Sequence, residues 1–357
     1  MRNVQIKAKL AQSLLPPNSF DEFISDEKGR VYEPKDLRAI RIRQQGGVDA
    51  LHFDRMPVQI PVRMSKGGVG KTTVVGNIGS ALAMMGHRVL LIDGDPQASL
   101  TGLMGIDWAT EELTHIGELM RRCYRGQPIN IEDAIKPIYV DGHLDLIASD
   151  ITLAEADSWM MAAANREFIY NRMVHDCAKF FSRYEVVIID TAPSTSLLTN
   201  ALMLASHEIL AVVMLDGQSL KAMQVLASNI NELNRAFPDM NLGVHIVANG
   251  YHPSYGSCKD ALQTLSSCYP KHLNDNILPF SASFRRQINI LDDMLSGTVL
   301  EREPGTVSAE AIINLARSLV NRYQIPLAGH WSPVADTRLG VAECALAKRR
   351  WHPSLVG

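Results

Sequence analysis

The nine residues "SKGGVGKTT", Ser65 to Thr73, constrain the fold of this chain more than any other stretch. Gly67, Gly68 and Gly70 let the backbone approach a ligand closely and take dihedrals closed to other residues. Successive N–H groups, including that of Val69, can then turn toward phosphate oxygens. The apolar run "VQIPVRM" leads in, and "TVVGNIGSALAMMG" follows as a helix whose positive end points at the same place. In such a loop Lys71 reaches the β- and γ-phosphates and Thr72 offers its hydroxyl to magnesium, with Thr73 a further nucleotide-binding candidate. The strict phosphate-loop pattern asks for glycine at position 65, yet this chain has Ser65, followed by a second long cation, Lys66. A loop built to wrap phosphate with backbone amides has no evident need of that lysine.

From Pro57 onward, apolar runs alternate with helical stretches. "HRVLLIDGD", "HLDLIAS", "YEVVIID", "EILAVVML", "LGVHIVANG" and "DNILPF" read as further strands, and "AEADSWMMAAANREFIYNRMVHDCAKFF" as a helix. Near-continuous Val/Ile/Leu runs indicate strands covered on both faces. With intervening helices they predict an α/β fold, a mostly parallel doubly wound sheet with helices on both sides. Ligands of such sheets sit beyond the carboxyl ends of the strands. Those ends carry "SKGGVGKTT", "DGDPQ", "DTAPS" and "NGYHP". Magnesium takes oxygen ligands, often through retained waters. Asp190, closing "EVVIID", suits the carboxylate that holds the metal through water. Asp93 and Asp95 share a side if the segment is extended, but a turn at Gly94 would reorient Asp95. Asp95 is the candidate for positioning an attacking water and Asp93 a further metal candidate. The bland alternative is that both only cap the next helix or brace the loop.

Of the 357 residues, 46% are hydrophobic and 20% charged, which describes an ordinary globular chain. A net charge of −3 gives no global attraction to nucleic acid or anionic membrane, so any such contact needs a local patch. The five cysteines are scattered without a C-x-x-C pair. A reduced intracellular compartment is therefore expected, and zinc or iron–sulfur sites are not. No secretory leader is read at the N-terminus, and "LLTNALMLASHEILAVVML" is broken by His207 and Glu208, so a membrane span is not expected.

Residues 1–57 form an N-terminal region, 58–325 the α/β domain and 326–357 a C-terminal appendage. Pro34 can open a helix that Gly46-Gly47 ends, with Lys35, Arg38, Arg41 and Arg43 giving it a basic side. That side is either a solvated face or part of a helix-turn-helix or dimerisation module approaching DNA phosphates. The appendage contains "KRRW", Lys348 to Trp351, behind only a short apolar face.

"KGGVGKTT", "VLLIDGDPQASLTGLMG", "LDLIASDITLAEAD" and "YEVVIIDTAPS" together resemble the ParA family of DNA-partitioning ATPases, in the deviant Walker A (MinD/ParA) branch of P-loop proteins. The resemblance runs from about Val58 to Tyr323. It implies ATP and Mg2+ as ligands, Lys71 and Thr72 at the nucleotide and metal, Asp95 in hydrolysis, and Asp190 in the metal's water shell. It also implies that Lys66 crosses a dimer interface to the partner's ATP, making ATP the glue of a sandwich homodimer. Asn249 falls where the family contacts adenine. "ILPFSASFRRQINI" aligns with a segment bearing DNA-contacting residues, here Arg285 and Arg286. The implied partners are non-specific DNA and a ParB-type centromere-binding protein that stimulates slow hydrolysis. The implied location is cytoplasmic, on the nucleoid in the ATP state. "VQIPVRMS" departs from the family's usual strand ending in Asn-x-Lys. The competing expectations are a MinD-like positioning ATPase, which would need an amphipathic C-terminal helix, and a metabolic P-loop synthetase or amidoligase.

Overall fold

The computed structural model describes residues 1–16, 30–44, 55–281, 283–284 and 297–327. Seven strands form one sheet: β3 (Val58–Arg63), β4 (Val89–Gly94), β5 (Ile135–Pro137), β6 (Leu144–Ile147), β7 (Val186–Thr191), β8 (Glu208–Met214) and β9 (Gly243–Asn249). Their order is β5-β6-β4-β7-β3-β8-β9. All neighbours are parallel except β5 and β6. The fold class expected from the sequence is the one found.

Alternation within the buried strands sorts side chains to two layers. Val89, Leu91, Val186, Ile188, Leu210 and Val212 point into one core. There they meet the loop helix α3 (Lys71–Met84) and the last described helix, α9 (Val307–Tyr323). Leu90, Ile92, Val187 and Ile189 point the other way, onto α4 (Ile116–Tyr124), α5 (Ile169–Asp176) and α6 (Leu197–Met203). Ile209, Ala211, Val213 and Ile246 continue that second face under α7 (Gly217–Ala236) and α8 (Gly256–Cys268). Each fully buried Leu or Ile contributes on the order of 2 kcal/mol, so the two layers together hold the strand ends in place.

Two expected elements differ. "DNILPF" is no strand: Leu278 N–H donates to Ala248 O and Tyr251 N–H to Leu278 O, and pairing stops at one Tyr251–Pro279 bridge. Pro279 has no N–H with which to extend a ladder. The single long helix expected from residue 154 is broken, because Asn165 sits at φ +51 and α5 starts only at Ile169. Asparagine tolerates the left-handed region where most residues would keep the helix going.

The N-terminal residues lie against the first core. β1 (Ile6–Lys7) pairs with β2 (Val31–Tyr32), followed respectively by α1 (Ala8–Leu14) and α2 (Pro34–Gln44). Ile6, Leu14, Tyr32 and Leu37 share one apolar cluster with Ile78, Leu82, Ile312 and Leu319. The predicted helix from Pro34 is present, whereas Gly46-Gly47 lie outside the described residues. Its expected basic side is divided. Arg38 is buried and donates to Gly86 O (2.8 Å) and to Glu185 Oε1 (2.9 Å), while Arg41 donates to Met85 O (2.7 Å). Gly86, at φ +92, permits this approach, since a Cβ there would lie 2.6 Å from the Arg38 backbone. These two arginines face the protein because the buried Glu185 carboxylate needs partners more than solvent needs the arginines. Lys35 stays exposed beside Glu33. Among the described residues, no helix is long and apolar enough to cross a membrane.

Candidate functional site

The site lies at the carboxyl ends of the central strands. β3 runs out at Arg63, and the chain crosses the loop to enter α3 at Lys71. Gly70, at φ +90, is the N-cap of α3 and supplies no side chain to the first-turn N–H groups. That leaves unsatisfied donors and the positive helix end facing the loop's concavity. A Cβ on Gly67 or Gly68 would meet nothing, so the loop's outer surface is open. Val69 is buried beneath it, and Thr73 O accepts from Asn77.

Lys71 is 7% exposed. Burial pulls its ammonium pKa down, while Asp190 and, more weakly, Asp95 pull it up. Thr72 Oγ1 donates to Asp190 Oδ2 at 2.6 Å, and the other Asp190 oxygen, Oδ1, is buried without a hydrogen-bond partner. Burial raises the Asp190 carboxyl to about 6, against the pull of Lys71. An orphaned carboxylate oxygen beside a threonine hydroxyl is the donor chemistry that a hydrated hard cation takes up, so these residues fit magnesium.

Asp93 stands beside Asp190 in the β4–β7 register. Its Oδ2 accepts from Thr101 N–H (2.9 Å) and Oγ1 (2.7 Å), and its Oδ1 accepts from Asp95 N–H (3.2 Å). Burial, then Asp190, pushes it up to about 7. Both oxygens are thus engaged with the turn and the short helix Ser99–Leu103 that follow β4, which is the bracing role weighed for it above. Among the described residues no group of three or more His, Cys, Asp or Glu is arranged to hold a metal by itself. Asp95 leaves the strand through a turn; its Oδ1 accepts from Gln97 N–H (2.9 Å) and its carbonyl from Ser149 Oγ (2.9 Å).

Lys66 does not join Lys71. Its Nζ donates to Asp216 Oδ1 (3.0 Å), Asp216 Oδ2 (2.9 Å) and Ser219 Oγ (3.2 Å). Asp216 is the N-cap of α7 and also accepts from Ser219 N–H. Burial pushes its carboxyl up, but the bonds from Lys66 and Ser219 outweigh that and hold it below the usual range. Asn249 donates to Val69 O (2.8 Å) and accepts from Gly250 N–H, so its carboxamide buttresses the loop. Arg285 and Arg286 lie outside the described residues.

Three site residues escaped the sequence reading. Asp216 and Ser219 sit in "LDGQS" at the end of β8, a fifth strand end not counted among the four. Arg63 is fully buried and donates to Met64 O and Ala192 O, both at 2.9 Å. It ties the root of the glycine loop to the loop after Asp190, and burial lowers its pKa to about 10. A charged residue inside "VQIPVRM" was its signal.

A parallel sheet with a glycine loop feeding a helix from its central strand, and a Thr–Asp pair behind it, defines a P-loop nucleotide-binding protein. An AAA domain model matches residues 58–243. The chain is 31% identical over 264 residues to a ParA family protein of Chlamydia trachomatis, covering 73% of this chain and 96% of that one. It is 27% identical over 252 residues to the cell division protein PomZ of Myxococcus xanthus, covering 69% and 73%. Among solved structures, cobyrinic acid a,c-diamide synthase from Mycobacterium smegmatis with bound ADP and magnesium superposes with a TM-score of 0.60 at 23% identity, over 78% of this chain and all of that one. This chain belongs to the ParA family of P-loop ATPases. The likeness to the synthase shows a shared fold only.

Proposed function

We propose that this chain is a partition-type positioning ATPase whose nucleotide state gates dimerisation and DNA binding. ATP lies along the loop with its phosphates on the α3 N-terminus and Lys71. Magnesium is held by the Thr72 hydroxyl and, through water, by Asp190. When bound, the ion neutralises charge on the β- and γ-phosphates. The Asp95 carboxylate, fixed by Gln97, orients the attacking water. Phosphoryl transfer leaves little beyond positioning and charge stabilisation for the protein to supply. A cation that arrives only on assembly therefore makes hydrolysis conditional.

The observation that carries this reading is the division between the loop's two lysines. Lys71 is buried at the phosphate site, whereas Lys66, with its side chain 26% exposed, pairs with Asp216. Standing apart from its own loop's phosphate site, Lys66 is the lysine left to serve a phosphate on a second copy once it leaves Asp216. In this reading the ATP-bound sandwich dimer binds DNA without sequence preference, and a ParB-type partner triggers hydrolysis and release. Arg285 and Arg286 are proposed as DNA contacts, and Asn249 as a neighbour of the adenine. The same fold serves a metabolic synthase, so the fold does not choose between the readings. Similarity that spans 96% of a ParA family protein and 73% of this chain favours partition.

The test is titration of the protein onto a random-sequence duplex with ATP, with ADP and without nucleotide. Binding with ATP alone, falling steeply as salt rises, is expected of phosphate contacts. Absence of binding in all three states would sink the proposal. Equal binding in all three would detach DNA from the nucleotide switch.

A further inference from the structure

We infer that Asp216 and Ser219 form a built-in dock for Lys66, which holds this lysine in its own protomer until nucleotide and a second copy draw it away. The inference rests on the reading of Lys66 as a cation used in trans. An ammonium has three N–H donors. Here all three are taken, two by the Asp216 carboxylate and one by the Ser219 hydroxyl. Lys66 in this dock has no donor left for a phosphate, so docked and in-trans arrangements exclude each other.

The dock is rigid on one side and escapable on the other. Leu215 N–H donates to Asn249 O, and the Asn249 side chain grips Val69 O, so the end of β8 is fixed to the glycine loop itself. Asp216 is held as the N-cap of α7, and Ser219 is fully buried. By contrast, the side chains of Lys66 and Asp216 are 26% and 42% exposed. An ion pair so open to water is weak and is screened by salt. It delays the lysine without trapping it. Asp216 and Ser219 are therefore positioning residues, setting the threshold at which ATP produces a dimer.

The experiment measures the dimer dissociation constant of the full chain by sedimentation, with magnesium and a non-hydrolysable ATP analogue. Asp216→Asn removes the charge and keeps the helix cap, because asparagine caps as well as aspartate. The expected gain is about threefold per dock, within the range for a partly exposed pair. Two docks open per dimer, so dimerisation tightens about tenfold. Ser219→Ala should shift it in the same direction by less, and rising salt should narrow the gap between parent and Asp216→Asn. Unchanged or weaker dimerisation in Asp216→Asn, with the variant folded and its monomer binding nucleotide, would overturn the dock. Lys66→Ala separates the two ideas. If it fails to dimerise while Asp216→Asn behaves like the parent, the in-trans reading stands and the dock falls. If Lys66→Ala dimerises like the parent, both fall.

Discussion

The two ends of the central sheet bury charge in opposite ways. At the amino ends of the strands, Glu185 sits between Arg38 (2.9 Å) and His87 (3.1 Å) and also accepts from Arg88 N–H. Burial and Arg41 depress His87 against the pull of Glu185. A neutral ring can donate from Nδ1 to Glu185 and accept Arg41 at Nε2, which assigns its tautomer. Both oxygens of the buried Glu185 carboxylate are thereby engaged, and Arg41 meets a carbonyl and a lone pair. At the carboxyl ends, Lys71 is desolvated, Asp93 and Asp190 are pushed toward neutrality, and one Asp190 oxygen has no partner. The first end engages both oxygens of its carboxylate within the fold. The second leaves one carboxylate oxygen for a ligand.

That contrast can be broken most sharply at Glu185. Replacing it with alanine strands Arg38 and should cost about 3–5 kcal/mol, the range for an uncompensated buried charge. In a domain of this size the melting temperature should fall by roughly 10 °C. ATP affinity of the folded protein, measured at low temperature, should hardly change. A loss under about 1 kcal/mol would mean that the cluster is not the clamp described.

Lys71→Ala should do the reverse. ATP affinity should fall about a hundredfold, near 3 kcal/mol for a charged hydrogen-bonding group, as read by calorimetry. Unfolding of the nucleotide-free protein should shift by less than about 1 kcal/mol, because a desolvated ammonium contributes little there. Near-parental affinity would remove Lys71 from the phosphate site.

The sequence made one end far more legible than the other. "VLLIDGD" and "YEVVIID" announce buried parallel strands by unbroken apolar runs, and the glycine loop announces itself by spacing. Arg38 could not be assigned, because helix periodicity does not say which side faces the protein and its partner Glu185 lies 147 positions away. "LDGQS" carries no glycine pattern, so the dock for Lys66 appears only once β8 lies beside the loop. β5, three residues ending in Pro137, is too short and too polar to stand out as a strand.

The smallest effect sharpens the comparison at Asp190. Its carboxyl is raised to about 6, chiefly by burial. A raised acid favours the fold while protonated, so this contribution is full below about pH 4 and is lost as pH rises through about 6. Magnesium wants the ionised form, so binding should expel the proton and strengthen as pH rises through the same window. From about pH 7.5 to about pH 5, the gain in ATP affinity that magnesium provides should fall about tenfold, near 1.4 kcal/mol. Titrating with and without magnesium cancels protonation of ATP's own phosphates only in part, so Asp190→Asn is the needed control. Asparagine can still accept from Thr72 but carries no titrating charge. In that variant the magnesium-dependent gain should be small and vary less with pH than in the parent. A parent gain that is flat across this window would place the metal away from Asp190 and erase the contrast between the two ends of the sheet.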